Sequence, residues 1–262
     1  MSAIVSNSEI IHYEVLGRGR PVIFLHGWAG SWRYWVPAMQ TIAYNYRAYA
    51  LDLWGFGDTA KNQSYYGLEE QTNLLDDFIT QLGIIGKVAL VGHGLGAMVA
   101  IQYALRKAKK VARMMLINCP VNGAFNNRLM SESPLGLVNW LYPAEKDRDA
   151  VSIEAQKTDQ QAIMRPLLDF QALSLVEKIP TLEMPTLMSY AGHDPLVTLP
   201  SDLLPETYPE SIGTFVFEES GHFPMVDEDN QFSRLLREFL EQERGASPRA
   251  LGRKSQWKRR VR

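Results

Sequence analysis

Between residues 87 and 105 an apolar run, a glycine-rich pentapeptide and a second apolar run follow one another with no spacer. Lys87-Val-Ala-Leu-Val91 reads as a buried strand, and Ala97-Met-Val-Ala-Ile-Gln-Tyr-Ala-Leu105 as a helix. Gly92-His-Gly-Leu-Gly96 must turn the chain from one into the other within five residues. Side chains with a Cβ resist so sharp a turn, whereas glycine takes it freely. A strand running straight into a helix is the βα unit of an α/β protein, and it sets what the flanking segments can be.

Those segments follow suit. Ile10 to Leu16 alternates like an edge strand, and Pro21-Val-Ile-Phe-Leu25 is a continuous apolar run suited to a strand buried on both faces. The loop His26-Gly-Trp-Ala-Gly30 follows, and Ser31 is placed to cap a helix carrying Trp32, Trp35, Val36 and Met39. Tyr46 to Leu51 is the next strand, and residues 68 to 82 form an amphipathic helix. After the glycine-rich turn come strands at Val111 to Ile117, Pro185 to Tyr190 and Gly213 to Phe217, and a last helix at about Gln231 to Glu243. This alternation predicts a mostly parallel sheet with helices on both faces. It breaks between Val121 and Pro180, which is rich in Asn, Pro and charge, with helical runs at Ser152 to Met164 and Pro166 to Val176. The expected organisation is core at 1–120, a helical lid at 121–180, core again at 181–243, and a tail at 244–262.

The net charge of −2 hides a polar asymmetry. The tail carries eight Lys or Arg and no Asp or Glu, so residues 1 to 243 stand at −10. Without apolar periodicity it reads as a disordered basic extension, able at most to make weak contact with anions. The lone Cys119 excludes an internal disulfide, and no run reaches membrane-spanning length or has the form of a signal peptide. A cytoplasmic protein is expected.

The motifs His26-Gly-Trp28, Asp52-Leu-Trp-Gly-Phe-Gly57, Gly92 to Gly96, Gly192-His-Asp194 and Gly221-His222 stand in this order. Together they resemble the α/β-hydrolase superfamily over about residues 10 to 243, in its lidded single-domain branch of esterases, epoxide hydrolases, dehalogenases and carbon–carbon bond hydrolases. The resemblance implies an α/β-hydrolase fold in which residues 92–96 are the nucleophile elbow, normally Gly-x-Ser-x-Gly. Here the nucleophile position is Gly94, which has no hydroxyl. By the same resemblance Asp194 is the acid, His222 the base, and the backbone N–H groups of Trp28 and Leu95 the oxyanion hole. Trp54, Trp140 and Phe223 are candidate walls of an apolar pocket. His26 is expected to tether its loop, His93 to pack within the elbow, His12 and His193 to lie at the surface, and Asp52 and Asp58 to brace the loop after their strand. No cluster has metal-ligand spacing and no phosphate-binding glycine loop is present, so no metal or organic cofactor is expected.

Glycine for serine, whether inherited or introduced, relieves a strained turn and removes the attacking oxygen. The chain is then expected to hydrolyse a small apolar ester-like molecule with water placed by His222. The alternative is a non-catalytic pseudo-hydrolase that binds a small ligand or a protein partner. Cys119, just after a strand, is the only thiol that could replace the missing nucleophile, and a buried, inert role is the expectation for it.

Overall fold

The computed structural model describes residues 2–142, 148–171, 175–198, 208–243 and 245–252. Eight strands form one sheet: β1 (Ser2–Ser6), β2 (Glu9–Gly17), β3 (Arg20–Leu25), β4 (Tyr46–Leu51), β5 (Val88–His93), β6 (Val111–Ile117), β7 (Thr186–Ala191) and β8 (Ile212–Phe217). Their order is β1-β2-β4-β3-β5-β6-β7-β8, and the pairs from β4 to β8 are all parallel. The carboxyl ends of these six strands therefore share one edge, where ligands bind in open α/β sheets. β1 and β2 add an antiparallel hairpin: β2 is the strand expected at Ile10 to Leu16, but β1, which the sequence reading missed, covers it and takes the edge. Its turn is Asn7-Ser8, both at positive φ (50° and 65°), the geometry of a two-residue hairpin loop.

Helices α1 (Val36–Ile42), α2 (Leu68–Gln81) and α3 (Leu95–Arg106) follow β3, β4 and β5. Between β6 and β7 the expected insertion is helical: α4 (Arg128–Ser131), α5 (Pro134–Leu141), α6 (Arg148–Gln156), α7 (Gln160–Gln171) and α8 (Leu175–Lys178). The break falls at residues 157–159, earlier than Pro166 suggested, and Pro166 lies inside α7. Asp159 starts that helix, its carboxylate accepting from the Gln161 N–H at 2.9 Å. After β8 come α9 (Pro224–Asp227), α10 (Asp229–Glu241) and α11 (Arg249–Gly252). Among the described residues no helix is long and apolar enough to cross a membrane.

The insertion is fastened to loops at the carboxyl edge. Asp159 accepts from the Tyr66 hydroxyl at 3.0 Å, and its N–H donates to the Gly55 carbonyl at 2.9 Å. Asp169 accepts from the Leu68 N–H at 3.0 Å. Lys157 binds Asp58 at 2.9 Å and Glu154 at 3.0 Å, and Arg33 reaches the same Glu154 oxygen at 3.0 Å. Glu154 is only 3% exposed, so these cations offset the cost of burying its charge.

Two sequence expectations change. His12 is buried rather than superficial, because Asp52 beneath it supplies a partner at 2.8 Å. The tail is not all extension: α11 lies against β8, Leu251 is buried, and Arg249 binds Glu210 and the carbonyls of Tyr208 and Ile212. Pro248 meets β8 so closely that a Cβ at Gly213 would stand 2.5 Å from its carbonyl carbon. The amphipathic signal was invisible because one turn of helix, anchored by one leucine, has no period to detect. The rest of the basic run, residues 253–262, lies outside the described residues.

A truncation after Glu243 should accordingly lower the melting midpoint by several degrees. Burial of one leucine side chain is worth about 1.5–3 kcal/mol, and 1 kcal/mol moves the midpoint of a chain this size by roughly 2–4 °C. Thermal unfolding of that truncation against the full chain checks the expectation.

Candidate active site

The elbow forms as its glycines require. Gly94 has φ 48° and ψ −108°, a conformation open mainly to glycine. Its N–H donates to the Ile117 carbonyl at 2.9 Å, and its carbonyl accepts from Met98 N–H at 3.2 Å, opening α3. The Gly96 N–H donates to the His26 carbonyl at 3.0 Å, and a Cβ at Gly96 would stand 2.2 Å from the Leu25 carbonyl oxygen. Helix and strand β3 can approach only because that atom is absent.

His222 lies after β8 and is fully buried. Its Nδ1 meets Asp194 Oδ2 at 2.9 Å, and the other carboxylate oxygen of Asp194 accepts from Leu196 N–H at 2.8 Å. Asp194, after β7, and His222 are therefore brought together from two strand ends. His222 Nε2 is buried with no hydrogen-bond partner among the described residues. A carboxylate on one ring nitrogen fixes the tautomer and leaves the other nitrogen to exchange a proton.

Asn118, which sequence reasoning passed over, joins these strand ends. Its side-chain amide donates to the His222 carbonyl at 2.9 Å, and its oxygen accepts from Ala191 N–H at 2.9 Å. Its φ of 45° is one that asparagine tolerates better than most side chains, and an Asn closing a buried strand was the available signal. Asp227 holds the same loop by accepting from Gly221 N–H at 2.9 Å. Burial pushes the Asp227 pKa up, more than that hydrogen bond lowers it.

Trp28 occupies the ground above Gly94. It is fully buried, and a Cβ built at Gly94 would lie 2.8 Å from its ring. Leu95, whose N–H is among the first of α3, is buried beside it. Phe223 also joins the group: its ring lies 5.1 Å from that of His222 and 5.2 Å from that of His93. Trp54 and Trp140 do not. Among the described residues Trp54 packs on Tyr65 at 4.8 Å, Trp140 lies beneath the Arg128 guanidinium at 4.6 Å, and neither ring meets Trp28, His93 or His222. Both were candidates because aromatic content carries no direction.

The remaining histidines are accounted for. His26 Nε2 accepts from Leu53 N–H at 3.0 Å, so its Nδ1 carries the proton and donates to the Gly27 carbonyl at 2.8 Å. Burial holds its pKa down. It ties the loops after β3 and β4. His93 packs within the elbow with its ring 4.5 Å from that of His222. Burial, and then the neighbouring His222 ring, hold its pKa well below the ordinary value, so it is neutral. The Tyr34 hydroxyl accepts from Gly27 N–H at 2.7 Å and is hydrogen-bonded to His93 Nδ1 at 3.1 Å. His193 is exposed.

Asp52 braces its loop as expected. It accepts from Trp32 N–H at 2.9 Å and from Asp58 N–H at 3.2 Å, besides its contact with His12. Burial works against a charged His12, but Asp52 and then Glu14 outweigh it and raise the pKa. His12, Asp52 and Asp58 bring ligand-type atoms within 4.8 Å of one another, a group that their spacing in sequence concealed. Those atoms already serve the loop and Lys157. Cys119 is buried, and burial pushes its thiol pKa up, so it is no thiolate nucleophile.

Serine at position 94 must displace the Trp28 ring as well as bear the turn. Gly94→Ser should cost about 1–3 kcal/mol, and the cost should shrink in a Trp28→Ala background. Urea unfolding of the double-mutant cycle reads the coupling, and simple additivity would show that the two residues do not compete for space.

Comparison with known proteins agrees with the fold. A family model described as the alpha/beta hydrolase family matches residues 22–235. The pimeloyl-[acyl-carrier protein] methyl ester esterase of Aliivibrio fischeri is 23% identical over 259 residues, covering 88% of this chain and 98% of that protein. Among solved structures, an esterase from Exiguobacterium antarcticum superimposes with a TM-score of 0.80 at 19% identity, covering 91% of this chain and 98% of that one. A thermophilic esterase from Thermogutta terrifontis does so with a TM-score of 0.72 at 19% identity, covering 91% and 97%. The chain belongs to the alpha/beta hydrolase family.

Proposed function

We propose that this protein is an esterase-like hydrolase that cleaves a small, largely apolar ester by direct attack of water. The observation that carries the reading is His222, with Nδ1 on Asp194 at 2.9 Å and Nε2 buried and unpartnered among the described residues. In this reaction Nε2 takes a proton from water as the oxygen bonds to the ester carbon. The negative charge that develops on the carbonyl oxygen is received by the N–H groups of Trp28 and Leu95. The tetrahedral species then collapses, and the departing alkoxide recovers the proton from His222. Acid and alcohol leave, and no bond to the protein forms. The esterases among the relatives support the substrate class. A cytoplasmic setting, without metal or organic cofactor, belongs to the same reading.

One observation favours a second reading. The Trp28 ring lies where a side chain at position 94 would begin, and His222 is closed from solvent. A pseudo-hydrolase that binds a small ligand or a protein partner would have this form.

Turnover of short-chain p-nitrophenyl esters separates them. The water mechanism requires steady hydrolysis without a burst, and a general base is worth roughly 10²–10⁴-fold, so His222→Ala should lower kcat/KM by about 10²-fold or more. An acyl adduct seen by mass spectrometry during turnover would refute water attack. Equal rates for the parent and His222→Ala would leave the pseudo-hydrolase.

A further inference from the structure

A cavity of about 650 Å³ opens between the insertion and the core. Its walls include Trp32 and Tyr34 from the turn before α1, Tyr142 and Val151 from the insertion, and Met225 and Val226 from α9. The volume falls within the range of sites that enclose small organic molecules. None of Gly94, Leu95 and His222 lines it.

The Phe223 ring lies between the tyrosines of this cavity and His222. Tyr34 and Tyr142 both face the cavity, and both pack edge-on against Phe223, at 5.5 Å and 5.3 Å. Phe223 does not line the cavity, is fully buried, and packs edge-on against His222. The layers therefore run from cavity to tyrosines, to Phe223, to His222.

The polar groups at the wall narrow the ligand. Arg33 is paired with Glu154 at 3.0 Å, and among the described residues the other charges reaching the cavity are the carboxylates of Glu14 and Asp229. An anion would meet repulsion there, while Trp32, Tyr34 and Tyr142 offer ring faces and edges to an apolar ring.

We propose that this cavity binds a small, uncharged, ring-containing molecule, and that Phe223 is the partition between that molecule and His222. The site stands whether or not the protein turns over esters.

The neutral fluorophore N-phenylnaphthylamine tests the first half. The full chain should bind it saturably, and Val226→Trp, which fills the cavity from α9, should weaken binding at least about tenfold (about 1.4 kcal/mol). Val151→Trp fills it from the insertion and serves if the first variant does not fold. Absence of saturable binding, or affinity unmoved in a folded variant, overturns the site. Carbethoxylation of His222 by diethylpyrocarbonate, read by peptide mass spectrometry, tests the second half without reference to turnover. His222 should react slowly in the parent and at least about tenfold faster in Phe223→Ala, or in Phe223→Leu if alanine unfolds the chain. Bound N-phenylnaphthylamine should slow the variant's reaction again. Equal reactivity in parent and variant, or a variant indifferent to the probe, would show that Phe223 separates nothing.

Discussion

The approach of α3 to strand β3 is the contact on which the rest of the site depends. It requires bare glycines: a Cβ at Gly92 would stand 2.5 Å from the Gly96 carbonyl, and one at Gly96 would strike Leu25. The N-terminal end of α3, which carries partial positive charge and unpaired N–H groups, is thereby set beside the His26–Trp28 loop. The Gly94 N–H then reaches back to Ile117 at the end of β6. One residue further, Asn118 holds both the end of β7 and the His222 carbonyl. His222, the end of β7 before Asp194, and the turn at Gly94 are thus joined by one chain of contacts through the main chain and the Asn118 side chain, none of which involves a side chain at position 94.

A second hub, the buried carboxylate of Asp52, organises the loop on which the insertion rests. Asp52 gathers His12, Trp32 N–H and Asp58 N–H, and Asp58 passes the connection to Lys157. A single exposed ion pair contributes at most about 1 kcal/mol. The seat of the insertion therefore rests on its buried members, Glu154 and the side chains packed beneath it. Lys61 reinforces the loop from within, its ammonium donating to the carbonyls of Phe56, Gly57 and Thr59.

Most of the sheet was legible because its strands are buried on both faces and so read as unbroken apolar runs. Asp194 and His222 were legible for another reason: each sits in a short glycine-marked motif whose place along the chain is itself the signal. Trp54 and Trp140 show where this kind of reading stops. Trp54 lies within a site motif and Trp140 within the insertion, and the structure packs one on Tyr65 and the other under Arg128. Asn118, His12 and α11 were missed because each owes its position to partners at least 37 residues away in the chain, at His222, Asp52 and Ile212.

By itself the sequence determined the alternation of strands and helices, the tight turn at Gly92–Gly96 and the absence of a hydroxyl at its centre. These are local properties, set by side-chain period and by which residues carry a Cβ. Tertiary structure alone decided that the Trp28 ring takes the ground beside Gly94, that His222 is buried against the Phe223 ring, and that a cavity opens at Tyr34 and Tyr142. Each depends on where side chains distant in sequence come to rest, and packing of a closed core, not periodicity, sets those positions.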